Sequence, residues 1–298
     1  MKKFVIFLLS AFLMGVPALA SQTGKESSKK EQTAQSLIES SGKRSTAKVK
    51  EKELSRVIQE AVEVYGKGGK VLFLLSHNRI DEAKKALAEL KSQLEKLEKQ
   101  YKGKIDRLPI DVVITELSGV TDLKEAEKLA RKAKEAVEKN DFVTARFILN
   151  SLRDEIVIET VYLPLGLFKE AVELADKLLK EGKVKDATAQ LQVAMGLIEI
   201  ETTIIPKPLA IAELLVDDAS KVYREKPQMA LKLLEEAKRQ VKLAKVLGYV
   251  RTEEEIKPLI AQIEKLEKEV SQKTGTKEKF RKVFKSLEEA KEKATQTR

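Results

Sequence analysis

The same separation of 42 residues relates Thr160 to Thr202, Pro164 to Pro206, Ala145 to Ala187 and Leu149 to Leu191. Self-similarity at such a period marks an architecture stacked from supersecondary units, none of which buries its apolar face alone. Each unit reads as a helix, a short turn, a second helix and an extended strip. The strips are "IVIETVYLP" at 156–164 and "IEIETTIIP" at 198–206. Their β-branched residues favour extended backbone, and Pro164, Pro206 and Pro208 bias the preceding residue away from helix while suiting the first turn of the next one. The expected fold class is therefore all-α: repeated helical hairpins of period about 42, joined by short extended crossings that can pair as a small two-stranded ribbon.

Within the second unit, Asp122 and Glu125 have capping-box spacing for a helix running to Lys139, and Asn140 is placed to cap the next helix. The third unit sets Phe168, Ala171, Val172, Ala175, Leu178 and Leu179 on one helical face, and Gly182 suits the left-handed exit. A fourth unit carries Ala230, Leu234, Ala237, Val241 and Ala244 on a heptad-like seam, ended at Leu247-Gly248-Tyr249. The more divergent first unit places Ala83, Leu87, Leu90, Leu94 and Leu97 on a similar seam. Ile256, Leu259, Ile260, Ile263 and Leu266 give residues 254–270 too much apolar surface for a solvent-facing cap. That segment is expected to pack onto the hairpin body, with any surplus supporting a homo-oligomer.

The ends differ from this body. Lys2 and Lys3, an apolar run and the small residues closing at Ala20 have the layout of a signal peptide over residues 1–20, cleaved after Ala20, which makes the protein an exported, periplasmic one. Residues 21–45 are Ser-rich and polar and read as a disordered linker, 46–270 as the helical-repeat domain, and 271–298 as a basic C-terminal helix or tail. With no Cys in the chain, disulfides and Cys-ligated metal are excluded, and stability must come from a packed core. Of the net charge of +10, residues 271–298 carry +5 and the body only +1, a distribution that argues against nucleic-acid binding. The tail could touch an anionic membrane surface weakly, but Phe280, Val283, Phe284 and Leu287 suit a helix packed on the body better. Abundant Lys and Glu point to a thermophilic source.

No catalytic motif emerges. Glu159 and Glu201 occupy equivalent repeat positions, where two carboxylates could share a proton or a cation; against this, a Glu beside a Thr in a strip is ordinarily a solvated or hydrogen-bonded group. Thr160 and Thr202 suit local backbone bonds. Tyr162, Tyr223 and Tyr249 lie near helix ends or crossings, where an aromatic body and polar tip could line a groove, although core anchoring is the commoner role. His77 is the single histidine and lacks metal-ligand spacing. "GKGGK" at 66–70 has the wrong spacing for a phosphate loop and reads as a flexible turn. Asp217 and Asp218 diverge by about 100° on a helix, too far for a dyad. Neither a metal nor a cofactor is expected.

The phrases "ETVYLPLGLFKEAVELADKLLKEGKVKDATAQL", "IIPKPLAIAEL" and "QMALKLLEEAKRQVKLAKVLGY", in that order, resemble the YfdX family of bacterial proteins over roughly residues 50–265. The resemblance implies a mostly helical, exported, stress-associated protein without enzymatic activity and with chaperone-like or ligand-binding behaviour. It supplies no catalytic residues. The expected function is non-enzymatic binding of proteins or stressed polypeptides through a groove between hairpins; the alternative is a small-molecule pocket between them.

Overall fold

A computed structural model describes residues 33–297. The signal-peptide segment and residues 21–32 of the expected linker lie outside the described residues. The first described element is helix α1 (Ala34–Leu54), followed by the hairpin α2 (Gln59–Ser76) and α3 (Ile80–Tyr101) and strand β1 (Arg107–Leu117). The second unit is α4 (Leu123–Glu138), α5 (Phe142–Ser151) and β2 (Glu155–Pro164); the third is α6 (Leu165–Lys180), α7 (Val184–Met195) and β3 (Glu199–Pro206). The fourth hairpin, α8 (Lys207–Val222) with α9 (Pro227–Val246), leads into α10 (Glu253–Ser271), α11 (Lys277–Ala294) and the two-residue β4 (Gln296–Thr297).

Three helix–helix–strand units thus precede the last hairpin, and their strands, together with β4, form one antiparallel sheet in the order β1-β2-β3-β4. The crossings predicted from the Ile-x-Ile-Glu-Thr strips are strands, and the expected two-stranded ribbon is widened by β1 and by the chain's own C-terminal residues. Because antiparallel neighbours run in opposite directions, successive hairpins emerge at alternate ends of the sheet. At one end α2, α3, α6 and α7 share a core built on Leu87, Leu90, Phe168, Val172 and Leu191. At the other, α8 and α9 pack with α1, α10 and α11 around Leu215, Leu234, Val241, Ile263 and Phe280, while α4 docks on α9.

Residues 34–45 correct the linker expectation. They form the first turns of α1, opened by a Thr33–Ser36 capping box. Ser41 and Ser45 are buried, and a Cβ on Gly42 would sit 3.2 Å from the Lys207 side chain, so small residues let α1 approach α8 closely. Arg44 reaches Asp218 at 2.7 Å. At the basic end the helix packs on the body as expected: α11 lies on α8 through Phe280, Val283 and Leu287, with the Phe280 ring 4.8 Å from that of Tyr223. Residues 254–270 pack on α9 as expected, burying Ile256, Leu259, Ile263 and Leu266.

Smaller expectations are also revised. Asp141, not Asn140, caps α5, its side chain accepting from the Thr144 N–H; Asn140 instead takes the left-handed exit of α4 at φ 59°. "GKGGK" lies inside α2, where Gly68 lets Phe168 and Met195 pack on the helix backbone. Gly182 and Gly248 end α6 and α9 with φ of 76° and 83°. Among the described residues, no helix is long and apolar enough to cross a membrane.

Candidate binding site

Side chains alternate across the sheet, and its two faces differ. Val112, Ile156 and Ile158 are buried on one face beneath Val49 and Val57, beside α1. On the other, Glu159 and Ile200 are exposed. Register decides where the predicted site residues fall. Glu159 pairs with Thr202, and Thr160 with Glu201. Glu159 and Thr202 therefore lie on the open face, Thr160 and Glu201 on the covered one. The two carboxylates are not brought together, and the paired-carboxylate expectation fails.

Glu201 instead joins Tyr162 and Arg107. The Arg107 Nη2 donates to Glu201 Oε2 at 2.7 Å and Nη1 to Glu199 Oε2 at 3.2 Å, while the guanidinium lies 4.4 Å over the Tyr162 ring. The Tyr162 hydroxyl donates to the other Glu201 oxygen at 3.4 Å. Hydrogen bonds to Glu201 and then Glu199 hold the Arg107 pKa above its ordinary value. Tyr223 sits in the core against Phe280 and is no groove residue. His77 terminates α2, its Nδ1 2.9 Å from the Phe73 carbonyl oxygen.

Tyr249 is the predicted residue with the richest surroundings. Gly248 turns the chain so that the Tyr249 hydroxyl reaches the start of β2, accepting from the Asp154 N–H at 3.0 Å and donating to Glu155 Oε1 at 3.2 Å. Arg153 grips the other Glu155 oxygen with Nε at 3.0 Å and Nη2 at 2.7 Å. Burial, reinforced by the Glu155 charge, pushes the Tyr249 pKa up, so the phenol is a neutral donor at physiological pH. This polar knot closes one end of a cleft of about 350 Å³ between α4, α5 and α9, whose walls include Ala130, Ala133, Leu149 and Leu152.

Beside it lies a cluster the sequence reading missed. Lys207, the first residue of α8, is buried with its ammonium on Glu116 of β1 and 3.6 Å from Asp154 Oδ1. Asp154 is fully buried, and neither carboxylate oxygen makes a hydrogen bond of ordinary geometry. Burial raises its pKa, opposed by the Lys207 charge and the Gly119 backbone. The available signal was Lys207 wedged between Pro206 and Pro208, a charge at a forced strand-to-helix corner.

The three most exposed apolar side chains among the described residues cluster on α5: Phe142 is 62% exposed, Val143 83% and Phe147 77%. Isolated apolar residues at a surface are ordinary, but three within six positions of one short helix form a patch. Among the described residues no group of His, Cys, Asp and Glu is arranged to hold a metal ion.

Hairpins alternating about an antiparallel sheet, with no motif of known chemistry among the described residues, define the class as a helical-hairpin protein. Comparison adds what the chain is similar to. Residues 69–203, from the middle of α2 to β3, match the family model described as YfdX protein. A solved structure of YfdX from Salmonella Typhi is similar at 18% identity and a TM-score of 0.34, covering 49% of this chain and 90% of that one. No curated protein matches the chain.

Proposed function

We propose that this protein is a non-enzymatic, extracytoplasmic, stress-associated binding protein whose partners are other polypeptides. The observation that supports the reading is the Phe142–Phe147 patch: two aromatic rings and a valine left in water cost solvation free energy unless they are sometimes covered. The layout of residues 1–20 supports export. A near-neutral body argues for protein partners over nucleic acid, and α11, docked through its apolar stripe, leaves at most weak membrane-surface contact.

The test is suppression of aggregation of heated, unrelated client proteins by the chain lacking residues 1–20. Replacing Phe142 and Phe147 by Ser should leave the melting temperature nearly unchanged, since both are exposed, and abolish the suppression. Equal suppression by the double variant, or none by the parent protein, sinks the reading. A parent protein that sediments as an oligomer, and a double variant that sediments as a monomer, would assign the patch to a homo-oligomer instead.

The cleft beneath Tyr249 favours a second reading, a small-molecule site. Its volume of about 350 Å³ lies at the lower end of the ordinary range for ligand pockets, with apolar walls and a polar end at Arg153, Glu155 and Tyr249. Ligands for it should raise the melting temperature by mass action, and Ala133→Trp should abolish that shift.

A further inference from the structure

The backbone of β1 has one side that no described strand occupies. Hydrogen bonds locate that side. Pro109 presents its carbonyl away from β2, where it accepts from the Ile58 N–H at 2.9 Å. After the irregularity between Pro109 and Asp111, the Val112 N–H also points outward, donating to the neighbouring Asp111 Oδ1 at 2.8 Å. The two-residue period then directs the N–H and C=O of Ile114 and Glu116 outward as well. Among the described residues, the outward N–H and C=O of neither residue has a backbone hydrogen-bond partner outside the sheet. Val112 to Glu116 is thus a free edge, ending a sheet whose opposite edge is already extended by Gln296 and Thr297 pairing with Ile204 and Thr203.

The side chains flanking this edge define what it accepts. On the open face, Asp111, Val113 and Thr115 stand in a row, with Val157, Glu159 and Val161 opposite them on β2. Val113 is 47% exposed, and Ile200 beyond β2 is 60% exposed. Among the described residues Asp111 and Glu159 have no ion-pair partner, and β1, β2 and β3 place no Lys or Arg among these open-face positions. The row is apolar and acidic. Most edge strands are protected by Lys, by Pro within the free stretch or by a covering helix, and the stretch from Val112 to Glu116 carries neither of the first two.

We infer that β1 captures an extended polypeptide segment as a further antiparallel strand, selecting segments that alternate small apolar residues with a basic one. Main-chain hydrogen bonds to the Val112 carbonyl, to Ile114 and to Glu116 supply the attachment, Val113 and Val157 the apolar contact, and Asp111 with Glu159 the charge complement. This rests on the polypeptide-binding reading and gives it a second contact, separate from the α5 patch.

The probe is a short peptide alternating Val with Thr and Lys, added to the chain lacking residues 1–20, with backbone amide exchange and affinity as readouts. Binding should slow exchange at Ile114 and Glu116. Methylating alternate peptide amides, which leaves the side chains unchanged but removes donors to the edge, should weaken binding roughly tenfold or more. Ile114→Pro deletes only an outward N–H from the backbone ladder and should weaken binding similarly. Because Ile114 is half-buried, Val113→Lys serves as an independent variant: its side chain is exposed, its charge repels the basic peptide, and its fold should be intact. Equal affinity of the methylated peptide, or protection appearing on α5 instead, overturns the edge assignment while leaving the polypeptide-binding reading standing. Edge binding that persists when aggregation suppression is absent supports the strand site and removes the chaperone-like role. A dimer that dissociates with Ile114→Pro and takes up no peptide would overturn the inference in favour of edge-to-edge pairing of two copies.

Discussion

Replacing Lys207 by Met tests whether the buried charge at the β3-to-α8 corner holds the sheet to the second helical layer. The Met side chain keeps most of the volume and removes the cation. Two carboxylates then lose their partner. Glu116 has 30% of its side chain exposed and can turn to water, whereas Asp154 has 1% and cannot. Removing one partner of a buried pair costs about 3–5 kcal/mol when the remaining charge must persist. Asp154 has another outlet, protonation, and its pKa is already raised by burial. The loss is therefore capped at about 4 kcal/mol at pH 7, the cost of protonating a carboxyl whose unfolded pKa is near 4, at about 1.4 kcal/mol per unit. The sign follows from linkage. A carboxyl whose folded pKa is raised destabilises the fold as pH rises above its unfolded value, so the deficit of Lys207→Met should shrink on acidification towards pH 4 and grow towards neutrality. Urea unfolding at both pH values measures it, and adding Asp154→Asn to Lys207→Met should recover most of the loss at pH 7. A deficit below about 0.5 kcal/mol, in the range of ordinary surface changes, or one independent of pH and of Asp154→Asn, refutes the reasoning.

Phe280→Ala should lower stability by about 3–4 kcal/mol, because Phe280 is only 1% exposed and fills the core between α11 and α8; unchanged urea unfolding would mean that the C-terminal helix is dispensable. Gly119→Ala should also destabilise, by about 1–3 kcal/mol, since the new Cβ would lie 2.7 Å from the Arg153 carbonyl oxygen, a backbone atom that cannot step aside. Far-ultraviolet dichroism melts would show it, and an unchanged melting temperature would place the loop elsewhere.

The hairpins were legible because their cores repeat. Ala145, Ala187 and Ala230 are all buried, as are Leu191 and Leu234, and a small residue next to a large one at fixed spacing is what lets two short helices close on each other. β1 was not legible, for two reasons. The α3 helix is 22 residues long where α5 has 10 and α7 has 12, so the first strand falls out of phase with the period. Pro109 and Asp111 also interrupt its run of β-branched residues, and both are tolerated because this strand is at the edge. Helix α1 was missed because beyond Leu37 its inward face continues through Ser41, Gly42 and Ser45 rather than through further apolar residues. Its place is fixed by close approach to α8 and by Arg44 on Asp218, neither of which leaves a hydrophobic period to read. Arg107 and Lys207 escaped notice for a related reason: each is an unremarkable basic residue until folding brings carboxylates from elsewhere in the chain to it.

The failure of the Glu159–Glu201 pair has a geometric cause that applies to the whole ribbon. Residues equivalent in the repeat are 42 apart, so the numbers of any equivalent pair add to an even total. Partners across β2 and β3, such as Glu159 with Thr202 and Ile158 with Thr203, always add to an odd one. No equivalent pair can therefore stand directly opposite in this register, and because side chains alternate, equivalent residues on the two strands always face opposite sides of the sheet. Bringing Glu159 and Glu201 together would require a slip of one residue. That slip would turn either Ile156 and Ile158 or Ile205 away from the apolar cluster beside α1. Burial of those isoleucines selects the register, and the register assigns Glu201 to Arg107 and Tyr162 while leaving Glu159 on the open face beside the free edge of β1.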